Sequence, residues 1–248
     1  MEAPNQIKFH SFTDVVKQPP VTSASNGFKT LFSEANNRLQ SDQKYFPPSP
    51  KNGVSWLEVT SQSPFRDIQQ KMGQLRQPGL LKLTRFNAND IGFKPIMTDA
   101  TSNKQIRHLI IRHSNLHYHQ VQLVSRVLQL NDGIAWLVLD HNDIDDESLK
   151  EMFRNIHPDN NIQHLVLSNN QITDEGGIDL MNALPKLKKI KTLWLDNNQL
   201  SDKPIGYLKS YLSQSSLEIL SIKNNYLSSS AKESLEEICD QIGCRLYT

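Results

Sequence analysis

The sequence predicts an α/β solenoid in which a curved parallel sheet lines the concave face and helices cover the convex one, preceded by an N-terminal helical cap or extension. Two observations carry this. First, an eleven-residue word recurs along the chain: Ile106 to Leu116, Ile134 to Ile144, Ile162 to Ile172, Ile190 to Leu200 and Leu217 to Leu227. Its ninth position holds Ser114, Asn142, Asn170, Asn198 and Asn225, at intervals of 28, 28, 28 and 27 residues. Self-similarity at such a period marks a stacked array. Second, the apolar period changes from two inside the word to about 3.6 after it, as in Leu149, Met152, Phe153 and Ile156 or in Ile205, Leu208 and Leu212.

Each element follows from the word. In an extended segment alternate side chains leave opposite faces, so Leu165 and Leu167, or Leu193 and Leu195, turn inward and the residues between them turn out. The helices that follow bury one apolar stripe against the sheet. Their starts are marked by Asp145 and Asp146, Thr173 and Asp174, Ser201 and Asp202, and Ser228 and Ser229, with Pro204 where a first-turn proline is harmless. The ninth-position Asn residues are expected to form a ladder that bonds backbone groups left open where the chain leaves the strand, since a buried amide without partners is costly. A worn first copy is read at Leu81 to Ile91, with Asn89 in the ninth position and Thr84 replacing an apolar residue. The repeats thus occupy 78–248, about six in number, and Gly243 to Thr248 starts one more strand.

Residues 1–77 differ in composition. Pro19, Pro20 and the Phe46 to Pro50 stretch read as loops or linkers. Phe28, Leu31, Phe32, Ala35 and Leu39 share one helical face, and a second helix is opened by Ser63 and Pro64, carries Phe65, Ile68, Met72 and Leu75, and stops at Pro78. They are read as a cap over the first repeat, with a separate binding module as the alternative.

The repeated word, with a helix in the second half of each period, resembles the leucine-rich repeat family and within it the ribonuclease-inhibitor-type repeats. The resemblance covers residues 78–248 and is specific for fold; function must come from the site. The small size, the N-terminal segment and the Asn- and Lys-rich repeats also resemble secreted effectors of intracellular bacteria such as Legionella. That resemblance implies a virulence role in the cytosol of a host cell.

The exposed face of the sheet is the candidate site. Position three of the word supplies His108, Trp136, His164, Thr192 and Ile219, and position five supplies Ile110, Val138, Val166, Trp194 and Ser221. Both alternate with the inward leucines, so they are expected to form an apolar strip in water, a feature that marks partner sites. Position seven, with Arg112, Asp140, Ser168, Asp196 and Lys223, is expected to be the mixed-charge rim of that strip.

Other chemistry is weakly represented. Lys plus Arg is 27 and Asp plus Glu is 26, so no net field recruits nucleic acid or an anionic membrane. The Lys186, Lys188, Lys189, Lys191 run reads as a solvated turn. Cys239 and Cys244 are the only cysteines, which suits a reducing compartment better than a disulfide scaffold. There is no Asn-x-Ser/Thr sequon, no membrane-spanning apolar run and no signal-peptide core in Met1 to His10. No phosphate loop, nucleophile elbow or zinc-protease motif occurs. Asp140, Asp143, Asp145, Asp146 and Glu147 lack the glycine of a calcium loop. His108, His113, His117 and His119 are dispersed among a strand, a turn and a helix start, so no metal and no cofactor is expected. The expectation is therefore a non-catalytic module that binds a protein through its concave face. The alternative is a regulator of a partner enzyme, resembling leucine-rich repeat GTPase-activating proteins, with Arg112 as the presented arginine.

Overall fold

A computed structural model describes residues 56–59, 68, 70, 79–89 and 91–248, all within the compact unit that contains Val54–Thr248. The helix expected over residues 28 to 39 lies outside the described residues, as does most of the one over 64 to 75. Of the latter, Ile68 is helical and buried.

Among the described residues eight strands form one parallel sheet in sequence order: β1 (Trp56–Val59), β2 (Gly79–Thr84), β3 (Ile106–Arg112), β4 (Trp136–Val138), β5 (His164–Val166), β6 (Thr192–Trp194), β7 (Ile219–Ser221) and β8 (Arg245–Tyr247). Between them run α1 (Phe93–Ser102), α2 (Tyr118–Leu130), α3 (Asp146–Arg154), α4 (Asp174–Ala183), α5 (Ile205–Leu212) and α6 (Ser229–Ile242). The sheet thus begins upstream of residue 78. In β1, Leu57 and Val59 pair with Leu81 and Leu83 and join the same core. The last strand lies where Gly243 to Thr248 led us to expect one.

The core lies between one face of the sheet and the helices. Leu109, Leu137, Leu165, Leu193 and Leu220 form one row of it, and Ile111, Leu139, Leu167, Leu195 and Ile222 another. The helical stripes close it from the other side: Leu149, Met152 and Phe153 from α3, Ile205, Leu208 and Leu212 from α5, and Leu235 from α6.

The asparagine ladder is present. Asn170 donates through Nδ2 to Leu139 O in the preceding repeat (3.0 Å) and Leu167 O in its own (2.9 Å), and its Oδ1 accepts from Ile144 N (3.2 Å). Asn142, Asn198 and Asn225 repeat the pattern. Each amide therefore satisfies a turn of its own repeat and of the one before, and so fastens neighbours together. The residue just before each rung is left-handed: His113, His141, Asn169, Asn197 and Asn224 have φ from 50° to 57°. Asn and His tolerate this region better than branched residues do.

Arg85 is also left-handed, at φ 51°, and this corrects the register of the first copy. Leu81 pairs with Leu109, Leu83 with Ile111 and Thr84 with Arg112, so Phe86, and not Asn89, occupies the ninth position. Phe86 and Ser114 are then 28 residues apart, the same spacing as the later repeats. Ile91, expected to close the word, is 90% exposed, whereas Ala88, at the true eleventh position, is buried and donates its N–H to Ser114 O. The copy is not worn in its strand; it lacks only the amide, because an apolar ring fills the rung.

A second ladder runs along the helix starts. Asp145 caps its own helix by accepting from Ser148 N (2.9 Å), as expected of it, and Ser228 accepts from Ala231 N (3.1 Å). Asp146, Asp174 and Asp202 instead reach forward to the next repeat: Asp146 accepts from Thr173 N, Asp174 from Ser201 N and Asp202 from Ser228 N, at 2.8, 2.6 and 2.8 Å. Gly176 permits the close approach of α4 to this ladder. A Cβ there would lie 2.2 Å from Asp146 Oδ1 and 3.0 Å from Asp146 Cα.

Candidate functional site

The helix-free face of the sheet carries positions three, five and seven, as the alternation requires, but the three rows differ in their access to water. Position three is partly open. His108, Trp136 and His164 sit side by side on β3, β4 and β5 and are half-buried. The Trp136 and His164 rings stack at 3.7 Å between centroids, and His108 meets the other side of Trp136 edge-on at 6.2 Å. Beyond them His164 Nδ1 pairs with Thr192 Oγ1 at 3.0 Å.

Burial holds both histidines neutral at physiological pH, pulling each from the usual 6.5 down to about 4, with Arg107 adding to the effect at His108. Their rings therefore present flat, uncharged faces beside the indole. His108 Nδ1 is buried without a hydrogen-bond partner.

Position five was expected in water and is not. Ile110, Val138 and Val166 are buried, and Trp194 is 5% exposed, although all four lie outside the helix-side core. Alternation fixes which side a residue faces; what covers it depends on its neighbours. Adjacent strands are only about 4.8 Å apart, so each row-five side chain is flanked closely by the same row and by its neighbours in rows three and seven. Trp194 has a further partner that the sequence reading missed. Tyr247 of β8 stacks with it at 5.9 Å across the small Ser221, and Lys223 Nζ lies 5.0 Å from the Tyr247 ring centre. The signal was available: Leu246 pairs with Leu220, which makes Tyr247 the position-five residue of the last strand.

Position seven also departs from expectation. In place of a solvated rim it is a buried polar row: Arg112, Asp140, Ser168 and Asp196 are all buried. Arg112 grips Asp140 with two hydrogen bonds, Nε to Oδ1 at 2.7 Å and Nη2 to Oδ2 at 2.6 Å, and His141 Nδ1 adds a contact of 2.8 Å. Burial pushes the Asp140 carboxyl up, but the bonds from His141 and Arg112 outweigh it and hold the group below its usual value. Asp196 Oδ1 accepts from Ser221 Oγ (2.6 Å) and Lys223 N (2.8 Å), while Ser168 Oγ accepts from Asp196 N (3.1 Å). Charges this deep persist only when paired in this way.

The remaining candidates fall into structural roles. Asp143 receives Gln171 Nε2 at 3.1 Å and faces His117 at 3.6 Å. Lys189 bonds Asn161 and Lys191 pairs with Glu218. His113 and His141 rings lie 4.2 Å apart above the Arg112 to Asp140 pair. Among the described residues no group of three metal-ligating side chains converges, and no helix is long and apolar enough to cross a membrane.

The parallel strands alternate with helices, and Asn142, Asn170, Asn198 and Asn225 place an amide at four successive turns. Residues 160–205 match the family model for leucine-rich repeats, in two copies. Two leucine-rich repeats thus lie within residues 160–205. No curated protein matches it. Among solved structures it is similar to an internalin from Listeria monocytogenes, at 16% identity and a TM-score of 0.44, over 75% of this chain. The match spans 57% of that internalin chain.

Proposed function

We propose that this leucine-rich repeat chain is a non-catalytic protein-binding module, a bacterial effector that engages a host protein in the cytosol through the concave, helix-free face of its sheet. The single observation that supports this is the row-three stack. Rows five and seven on the same face are buried, while His108, Trp136 and His164 remain partly open and aromatic. A flat, rigid aromatic group loses little conformational entropy on binding and supplies much of a typical interface's energy. In this reading Ile110, Val138, Val166 and Trp194 support the stack from the next row, and Arg112, Asp140 and Asp196 fix the far edge.

The alternative, a regulator that presents Arg112 to a partner's nucleotide, is disfavoured by the bidentate bond to Asp140, which would have to break first. The test uses immobilised full-length protein in a eukaryotic lysate, with Trp136→Ala beside the wild type. Truncating a central anchor typically removes about 2 kcal/mol or more of binding, so the variant should lose the proteins that the wild type retains while keeping its circular dichroism. A folded Trp136→Ala protein that captures the same proteins equally well would place the working surface elsewhere.

A further inference from the structure

The chain's two cysteines sit at one turn. Helix α6 ends at Gly243, which is left-handed at φ 73°, and the two bonds that close such an end are both present: Cys244 N donates to Cys239 O at 2.9 Å and Gly243 N donates to Asp240 O at 3.3 Å. In this motif the residue three before the end of the helix and the second residue after it are brought together, usually as an apolar contact. Here those two residues are Cys239 and Cys244. Both side chains are buried, and the Cys244 thiol lies at the long distance of 4.0 Å from Arg245 O, leaving it weakly held.

From this geometry we propose that Cys239 and Cys244 are an oxidisable pair, which closes to an intramolecular disulfide with a low-molecular-weight disulfide such as glutathione disulfide as oxidant. A disulfide requires α-carbons within about 7 Å and converging β-carbons, and the 2.9 Å bond from Cys244 N to Cys239 O holds the two α-carbons within that range. An open cavity of about 550 Å³ adjoins the pair, lined also by Glu218, Ile219, Asp240 and Arg245, and local opening of the helix end admits the oxidant to Cys239, which is fully covered at rest. The roles of the two sulfurs differ: the neighbouring Cys244 thiol lowers that of Cys239, and Cys239 raises that of Cys244. Cys239 is thus the attacking thiolate. It attacks one sulfur of glutathione disulfide and expels one glutathione thiolate. Cys244 then attacks the Cys239 sulfur of the mixed disulfide and expels the second glutathione. The two thiol protons end on the two released glutathiones, so two protein thiols are oxidised and one disulfide is reduced. The product ties α6 to β8, the strand that holds Tyr247 against Trp194.

The test treats the full chain with glutathione disulfide and follows intact mass, thiol count after denaturation, and circular dichroism. We expect loss of both thiols, a mass lower by two hydrogen atoms, an unchanged spectrum and full reversal by dithiothreitol. Cys244→Ser should stop at one glutathione adduct on Cys239. Retention of both thiols, a stable glutathione adduct on the wild type, a covalent dimer, or loss of the native spectrum on oxidation would each overturn the pairing.

Discussion

Trp136 and Trp194 lie on the same face of the same sheet, two strands apart and one row apart, yet they are in different environments. Trp136 is half-buried and packs between two neutral histidines. Trp194 is enclosed, with Tyr247 folded over Ser221 to meet it. The difference lies in the residue next along the row. A small Ser221 beside Trp194 leaves space that an aromatic ring from the following strand fills, whereas His164 beside Trp136 occupies its own place and stacks. Facing away from the helices is therefore not the same as facing solvent, and one tryptophan belongs to the scaffold while the other keeps part of its surface in water.

The largest effect should come from the polar part of the enclosed region. Asp140→Ala leaves the Arg112 guanidinium buried without its carboxylate, which typically costs about 3 to 5 kcal/mol. A chemical denaturation midpoint within experimental error of wild type would show that water reaches the pair. Trp194→Ala should follow at about 3 kcal/mol, the lower end for a large buried aromatic, with the Tyr247 fluorescence environment changing as its stacking partner is lost. Asn170→Ala removes donors to two repeats and should cost about 1 to 3 kcal/mol, against little for the exposed Gln171→Ala; equal melting temperatures would remove the ladder from the account. Trp136→Ala should be the mildest of the set, at about 0.5 to 1.5 kcal/mol for a lost stacking pair.

Acid should also distinguish the two regions. His108 and His164 titrate at about 4 when folded, against 6.5 for the free side chain. Between those values the unfolded chain binds protons that the folded chain refuses. Their contribution to stability is thus complete above pH 6.5 and is lost as pH falls toward 4. Melting temperature should decline across that window, and His164→Gln should flatten the decline; an identical slope in the variant would show that these rings do not control it.

Much of this was legible in the sequence. The interval from Ser114 to Asn225 sets the strand register, and the alternation of Leu165 and Leu167 with Val166 assigns the two faces. Three things were not. The first-copy register is obscured because Asn89 imitates a rung three residues beyond the true position, where Phe86 stands; the 28-residue interval to Ser114 favours Phe86, and strand pairing decides it. The burial of Ile110, Val138, Val166, Trp194 and the Arg112 to Asp140 pair was invisible because it arises between repeats, from side chains about 28 residues apart, whereas alternation is a property of one strand. The forward reach of Asp146, Asp174 and Asp202 was hidden for the same reason: each sits at a helix start, where its own helix offers a sufficient local explanation.

The asparagine rungs also bear on how such a chain can change length. Asn198 makes the same bonds to Leu167 and Leu195 that Asn170 makes to Leu139 and Leu167. Excising one whole period, residues 143 to 170, would bring Asn198 to the carbonyl of Leu139 with no donor or acceptor stranded at the seam. Removal of part of a period would set an amide against the wrong carbonyl. Growth and shrinkage by whole units is thus the path of least resistance for this chain, and the first two copies, whose rungs are Phe86 and Ser114, are where joints of a different kind stand.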